Sequence, residues 1–218
     1  DLIPLIMPQY HRPLNRIFLK IMFPRFLSTA TAIIAVSKCT KKDAVNILGI
    51  NPNRITVIPE GISDSFHPVS DHNQLASVRA AYGLPDTYIL CVSTLEPRKN
   101  HITLLRAFER VHTDYPHVAL VIAGARGWLY HDFLAELENS PARNNVRILG
   151  KVPECDLPAM LSAATIFAFP SLYEGFGLPP LEAMACSTAV ICSNTSSLPE
   201  IVNDTALMHA PHSVAELH

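Results

Sequence analysis

Two short segments of the sequence combine residue types that could bind and transform a phosphorylated ligand. In the first, Arg98-Lys99-Asn100, two adjacent cations precede a residue type that often caps a helix. The free amides and the dipole of a helix N-terminus would add to these cations, which predicts a site for an anion such as a diphosphate. Arginine offers a bidentate fork and lysine a point charge. The spacing alone equally fits surface cations beside a loop.

The second segment runs from Glu174 to Glu182 and reads EGFGLPPLE. Gly175 and Gly177 would let a ligand approach the backbone closely, and the two prolines suit the first turn of a helix. A loop carboxylate and a helix carboxylate could act as general acid and base, or could hold sugar hydroxyls. The same residues also fit an ordinary helix entry with glutamates near its positive end, and residue types alone do not decide.

Composition excludes several classes of protein. The 218 residues are 49% hydrophobic with a formal net charge of -2, so the chain can bury a core but lacks the basic face that a nucleic-acid partner needs. No apolar run reaches the roughly 18 residues of a membrane-spanning helix. Five cysteines without metal-binding spacing predict a reducing compartment. The sequence contains no GxGxxG, P-loop or Asp-x-Asp motif.

A regular order of strands and helices would position the two segments. Early strands at 32–36 and 55–58 flank a helix that Ser37 caps and Gly49 ends. After a turn-rich stretch, apolar strands alternate with amphipathic helices, which predicts parallel βαβ units in a doubly wound α/β sheet. The predicted strands lie at 88–93, 118–123, 146–149, 165–168 and 189–192, and the predicted helices at 101–113, 129–138, 156–163 and from about 179.

Ligands bind beyond the carboxyl ends of the strands in such sheets. Three predicted strand ends carry unusual polar or glycine content, at 93–100, 124–127 and 171–177. We therefore expect the chemistry of the protein at these ends.

An apolar stretch near the beginning, from Leu14 to Leu27, is predicted to be a helix that packs on a sheet; lying on a membrane surface is the alternative. Its expected buried residues are Ile17, Phe18, Ile21, Met22 and Leu27.

The wider sequence around these segments resembles a known family. Segment 170–186, PSLYEGFGLPPLEAMAC, resembles the E-x7-E signature of the retaining glycosyltransferases of family 4, also called glycosyl transferases group 1. Segment 92–100, VSTLEPRKN, resembles the phosphate-binding segment of the bacterial mannosyl- and glucosyltransferase branch. Further segments fit the same pattern, at 34–37, 55–61 and 193–200.

The resemblance implies a GT-B fold, in which two Rossmann-like domains face a cleft. Residues 1–60 would form the last part of the N-terminal acceptor domain, 61–86 a linker and entry, and 87–218 the C-terminal nucleotide-sugar-binding domain. Other segments of the family are expected before Asp1 and after His218. We therefore expect a chain truncated at both ends, which does not catalyse transfer alone.

The end of the chain supports this expectation. Ser213-Val-Ala-Glu216 forms a capping box, in which each side chain would bind the backbone amide of the other residue. Such a box predicts a helix that is longer than the residues before His218 allow.

The resemblance also implies roles for individual residues. Arg98 and Lys99 would hold the diphosphate and stabilise it as it departs, and Glu174 would contact the donor sugar. Glu182 would hold the ribose hydroxyls. Other parts of the donor would contact the backbone amides of Gly175, Phe176, Gly177 and Leu178, and the nucleobase would lie near Lys151 and Val152. No metal or other cofactor is expected, because the cations neutralise the diphosphate.

The implied activity is retaining transfer of a hexose, with mannose favoured and glucose next, from a GDP- or UDP-sugar. The acceptor would be a glycan or a lipid-linked sugar in cell-surface polysaccharide synthesis. The protein would act in the cytoplasm, with peripheral association with the inner face of the membrane as the alternative. In this family the leaving phosphate usually takes the acceptor proton, so Glu174 is not assigned as a nucleophile. The alternatives are a non-catalytic nucleotide-sugar-binding module and a GT-B epimerase or phosphorylase. Ser93 and Thr94 stand where many members have a separate arginine, so Arg98 would take that role.

Overall fold

The structure, a computed structural model, describes residues 1–10 and 13–218, with side chains from residue 20 onward in the second helix. The first part of the chain contains a small parallel sheet of two strands, in which Ile33 pairs with Ile55. Its elements are α1 (Ile3–Ile6), α2 (Pro13–Thr29), β1 (Ile33–Ala35), α3 (Lys38–Leu48) and β2 (Ile55–Val57).

Helix α3 begins and ends as the sequence predicts. The Ser37 hydroxyl accepts a hydrogen bond from the Thr40 amide at 3.0 Å, which satisfies one of the free donors of the first turn. Gly49 ends the helix in the left-handed conformation with φ of 65°. The helix is therefore fixed at both termini by local sequence.

The predicted helix between Leu14 and Leu27 is present within α2, but its buried side differs from the prediction. Ile21 is 49% exposed, while Met22 and Leu27 are partly buried; the side chains of Ile17 and Phe18 lie outside the described residues. The prediction for Ile21 was wrong because the apolar residues are spread around the helix instead of along one face. Within the described residues, no helix is long and apolar enough to cross a membrane.

The rest of the chain forms a six-stranded, wholly parallel sheet with the order β5-β4-β3-β6-β7-β8. Its strands are β3 (Tyr88–Val92), β4 (Ala119–Ala123), β5 (Val146–Gly150), β6 (Ile166–Phe169), β7 (Val190–Ser193) and β8 (Leu207–His209). The helices are α4 (His72–Tyr82), α5 (His101–Asp114), α6 (His131–Asn139), α7 (Leu157–Ser162), α8 (Leu178–Ala185), α9 (Leu198–Val202) and α10 (Val214–Leu217).

Both faces of this sheet are covered, which explains why its strands read as continuous apolar runs. Along β3, Leu90 enters one core and its neighbour Cys91 enters the other. The first core also holds Phe167 and Phe169 of β6, and the second receives Phe108 from α5. The doubly wound α/β prediction is confirmed.

Segment 61–86 holds a helix that was not predicted, and one predicted contact near the end of the chain does not form. The segment 61–86 contains α4, which Asp71 caps through a hydrogen bond from the Asn73 amide at 2.9 Å. In the capping box, the Ser213 hydroxyl accepts from the Glu216 amide at 3.2 Å. The Glu216 carboxylate, however, accepts from the Ala210 amide at 2.7 Å instead of binding Ser213. Only half of the box forms, because the Ser213 amide donates to the Ala210 carbonyl at 2.9 Å instead.

The strand order places one crevice at the centre of the sheet. From β3 the chain winds outward through β4 and β5, and then returns to β6 on the other side of β3. Strands β3 and β6 therefore meet where the winding direction reverses, which is where open α/β sheets bind ligands. The loops that leave these two strands are 93–100 and 170–177, which hold both segments singled out from the sequence.

Candidate active site

The two segments meet at this crevice through a buried ion-pair cluster. Lys99 Nζ lies 2.6 Å from Oε1 of Glu174, and Arg98 Nη1 lies 3.0 Å from the same oxygen. The Ser171 hydroxyl also donates a hydrogen bond to this oxygen, at 2.5 Å. The side chains of Arg98 and Lys99 are each 13% exposed, and that of Glu174 is 11% exposed. The structure thus brings the three residues together, although Glu174 follows a different strand.

The cluster also explains the ionisation of Glu174. Burial raises the pKa of this carboxyl, but the charges of Lys99 and Arg98 outweigh burial and hold the pKa below its usual value. The Arg98 guanidinium also pairs with the buried carboxylate of Glu96. Two cations therefore face two carboxylates, and the sequence-based picture of cations presented freely to an anion needs this addition.

The turn that carries the cations is shaped by its last residue. Residues Pro97–Lys99 form a single 3-10 turn, and Asn100 follows with φ of 60°. The sequence predicted a side-chain cap from Asn100, but its side chain makes no bond to the amides of α5. It instead donates to the carbonyls of Pro170 at 3.0 Å and Pro211 at 2.7 Å. Asparagine tolerates this left-handed conformation, and here it joins the loops that follow β3, β6 and β8.

Next to Asn100, the side chain of His101 is buried below the cation turn. Its Nε2 lies 2.9 Å from the Ser93 hydroxyl, and its ring packs on Phe133 with a centroid distance of 5.4 Å. Burial, together with the charge of Lys99, lowers the pKa of His101 to about 4. The imidazole is therefore neutral near pH 7 and supports the turn without adding charge.

Residues 174–177, here called the glycine loop, lead directly into α8 as the sequence predicts. Gly177 has φ of 130°, and a Cβ there would lie 2.8 Å from Cδ2 of Leu198, so the position requires glycine. Helix α8 starts at Leu178, directly before the two prolines. Glu182 lies one turn into α8 and is not part of the ion-pair cluster. Burial and then the charge of Glu154 raise the pKa of Glu182.

The remaining predicted residues lie on the Glu182 side of the sheet. Lys151 and Val152 follow β5 after Gly150, whose φ is 73°. Lys151 is exposed, whereas Val152 is buried in the same core as Ala183, the neighbour of Glu182. The residues predicted to bind the base and the ribose therefore lie next to one core of the sheet, and β4 separates β5 from β3, the strand that the cations follow.

Sequence reasoning assigned no role to several side chains that hold the glycine loop. The Glu174 amide donates to the Ser196 hydroxyl at 2.9 Å, and the Ser197 hydroxyl donates to the Glu174 carbonyl at 3.1 Å. On the other side, the Tyr173 hydroxyl donates to Oδ2 of Asp43 in α3 at 2.6 Å. Burial, followed by the bond to Asp43, raises the pKa of Tyr173. Segment 193–200 stood out only through the family pattern, and segment 34–37 was otherwise predicted only as a strand and a helix cap.

The arrangement can bind an anion and a hydroxylated ligand together. The cations at the end of β3 contact a carboxylate from the loop after β6, and the N-terminus of α8 follows that same loop. Among the described residues, no group of three or more His, Cys, Asp or Glu side chains is placed to hold a metal ion.

Comparison with known sequences gives matches along most of the chain. Residues 78–218 match the sequence model of "Glycosyl transferases group 1", and residues 2–66 match that of "Glycosyltransferase Family 4". The O-antigen chain mannosyltransferase B of Escherichia coli is 36% identical over 213 residues, which cover 95% of this chain and 55% of the relative. The serotype-specific mannosyltransferase WbdA of Escherichia coli is 33% identical over 194 residues, covering 86% and 24%. The chain thus spans about half the first relative and about a quarter of the second.

Solved structures give the same architecture. Anabaena HepE in complex with UDP and glucose superposes with a TM-score of 0.80 at 21% identity, over 95% of this chain and 56% of that chain. A glycosyltransferase from Rickettsia africae gives a TM-score of 0.78 at 20% identity, over 90% and 55%. At these identities the likeness establishes the fold.

Proposed function

The chain belongs to the glycosyl transferases group 1, and on that premise we propose that it provides the donor site for retaining transfer of a hexose from a nucleotide diphosphate sugar. The fold is of the GT-B type, with a Rossmann-like parallel sheet. The observation that carries the proposal is the cluster of Arg98, Lys99 and Glu174 at the crevice between β3 and β6.

The cations are proposed to hold the diphosphate of the donor. Glu174 keeps Arg98 and Lys99 in place before a ligand arrives, because their mutual attraction offsets the cost of burial. A bound diphosphate would share the cations with Glu174, whose carboxylate would then hold a hydroxyl of the donor sugar. As the bond to the sugar breaks, negative charge grows on the diphosphate, and preorganised cations stabilise that charge most.

The rest of the donor would extend along neighbouring strand ends. Glu182 is proposed to hold the ribose hydroxyls, and the nucleobase would lie by Lys151 and Val152. The amides of the glycine loop would contact the sugar and phosphates. Within this proposal no metal is required, since the diphosphate is neutralised by side chains.

Mannose is the favoured sugar, since two similar relatives are named mannosyltransferases, and GDP-mannose is the favoured donor, with a UDP-sugar next. The proposed acceptor is a glycan or lipid-linked sugar of a cell-surface polysaccharide. Free cysteines favour a reducing compartment, so we place the reaction in the cytoplasm, with the acceptor at the inner face of the membrane.

A thermal-shift panel tests the proposal. GDP, UDP and ADP are each added to the 218-residue chain, and the change in Tm is recorded. A ligand at a hundred times its Kd stabilises a protein by about 2.7 kcal/mol, which a melting curve resolves. GDP is expected to raise the Tm most. A panel in which no nucleoside diphosphate raises the Tm would contradict the proposal.

A further inference from the structure

Three consecutive carbonyls of the glycine loop are each held by a side-chain hydroxyl. Ser197, in the loop after β7, shares its single hydroxyl proton between the carbonyls of Glu174 and Phe176. Its side chain is fully buried, so both bonds are shielded from water. The carbonyls before and after Gly175 are therefore fixed by one residue.

The carbonyl of Gly175 itself is held from the first part of the chain. The Ser37 hydroxyl donates to it at 2.6 Å, and the Thr40 hydroxyl donates at 3.1 Å. Ser37 is the cap of α3 and is 2% exposed. The start of α3 thus contacts the loop that carries Glu174, although more than a hundred residues separate the two in the sequence.

Helix α3 is itself anchored to α9, the short helix that follows Ser197. The carboxylate of Glu200 accepts from the amides of Lys38 at 3.0 Å and Cys39 at 2.8 Å. These amides are free donors of the first helical turn, and a carboxylate there is favoured by the helix dipole. Ser197 and Glu200 belong to one segment, so α3 and that segment form a connected frame around the glycine loop.

Fixing a carbonyl also fixes the amide that follows it. A peptide unit is planar and trans, so the carbonyl of one residue and the amide of the next point in opposite directions. The held carbonyls of Glu174, Gly175 and Phe176 therefore set the directions of the amides of Gly175, Phe176 and Gly177. None of these three amides donates a hydrogen bond to another atom within the described part of the chain.

We infer that Ser37, Thr40 and Ser197 are positioning residues, whose hydroxyls orient the free amides of the glycine loop for the phosphate and sugar oxygens of the donor. The donor site is then a composite, because α3 lies in the first part of the chain and the loop lies beyond β6. This inference takes the identity of the donor from the proposed function. The binding of a diphosphate by the oriented amides does not depend on that function.

The test compares variants by their preference for a diphosphate. The Kd values of GMP and GDP are measured by calorimetry with the whole chain, and their ratio reports the gain from the second phosphate. We expect Ser37→Ala and Ser197→Ala to reduce that ratio about tenfold, because misdirected amides no longer meet the phosphate. General loss of stability would weaken both nucleotides alike and leave the ratio unchanged.

Two control variants distinguish the loss of a positioning hydroxyl from the loss of any helix cap or any buried hydroxyl. Ser213→Ala removes a cap serine from α10 that lies outside the frame, and Thr188→Val removes a buried hydroxyl that donates to the Leu161 carbonyl at 2.7 Å. Both should keep the parent ratio. Thr40→Val should lower the ratio and Thr40→Ser, which keeps the hydroxyl, should restore it. These two milder variants test the inference if Ser197→Ala does not fold.

Amide chemical shifts with pyrophosphate as the probe separate the two proposals. We expect the amides of Gly175, Phe176 and Gly177 to shift in the parent, and to shift less in Ser37→Ala. Such shifts without any preference for GDP or UDP would leave the inference standing and remove the proposed donor. Unchanged ratios in the Ser37, Thr40 and Ser197 variants of a GDP-binding parent would overturn the inference and leave the function. A parent whose loop amides respond to neither pyrophosphate nor GDP would also overturn it.

Discussion

Lys99 Nζ and Glu174 Oε1 are 2.6 Å apart, although they follow different strands and are separated by 75 positions in the sequence. Their contact joins the two segments whose composition first indicated chemistry. It also shows that the cations are not simply exposed for an anion. They are held in a buried cluster, whose carboxylate is itself a candidate ligand of the donor sugar.

Removing the Glu174 charge should destabilise the fold. In Glu174→Gln, Arg98 and Lys99 lose their shared carboxylate while remaining buried, and breaking such a buried pair costs about 3 kcal/mol. Urea unfolding measures the loss. Glu136→Gln breaks the more exposed pair with Arg106 and should cost less than about 1 kcal/mol. Equal losses in the two variants would contradict the structural importance of the cluster.

The fall in unfolding free energy at acid pH should also depend on Glu174. Its folded pKa lies below the ordinary glutamate value, so its contribution to stability is present above that value and is lost as the pH falls through the folded pKa. Unfolding free energies of the parent and Glu174→Gln, measured between about pH 5 and 3, should therefore converge as the pH falls. Curves that stay parallel would show that Glu174 is not held ionised by the cations.

His101 should make the unfolding free energy depend on pH in a higher pH range than Glu174 does. Its pKa falls from 6.5 to about 4 on folding, so the unfolded chain binds an extra proton between these values and stability declines as the pH is lowered. The decline attributable to His101 is about 3 kcal/mol over this range. His101→Gln should flatten the measured curve of unfolding free energy against pH. An unchanged slope would mean that the imidazole is protonated in the folded protein.

The two glutamates of the E-x7-E segment should respond differently to nucleotide. Glu182→Ala removes the proposed ribose contact and should raise the Kd of GDP about tenfold. Glu174→Ala frees the cations and should leave that Kd unchanged or lower it. Calorimetric titration of both variants with GDP measures this contrast. An equal loss of affinity in both would show that the roles are wrongly divided.

Much of the fold follows from the sequence because the sheet is buried on both sides. The strands predicted from continuous apolar runs agree with β3 to β7 within one residue at each end, and the matching helices agree within two. Strand β8 was not predicted, since Leu207 is 74% exposed and three residues carry no periodicity. Helix α4 was also missed, although Asp71 and Gly83 mark its two ends.

The sequence predicted which residues belong to the site, but it did not predict which of them contact one another. Strand ends with cations and glycines indicated the crevice, but the pairing of Lys99 with Glu174 depends on which strands become neighbours. Asn100 has the residue type of a cap, yet the structure uses its side chain to join Pro170 and Pro211. Single hydroxyls such as that of Ser197 carry no pattern, so only the folded loop shows what they hold.

Calorimetric titration of the chain with GDP, for the parent and for Lys99→Met, tests the central claim most directly. Lys99 is proposed to hold the diphosphate, and losing a buried charge-assisted contact should raise the Kd at least about thirtyfold. Lys20→Met, at an exposed position of α2, is the matched control and should bind as the parent does. Parent-like affinity in Lys99→Met, or a parent that binds no nucleoside diphosphate, would contradict the account.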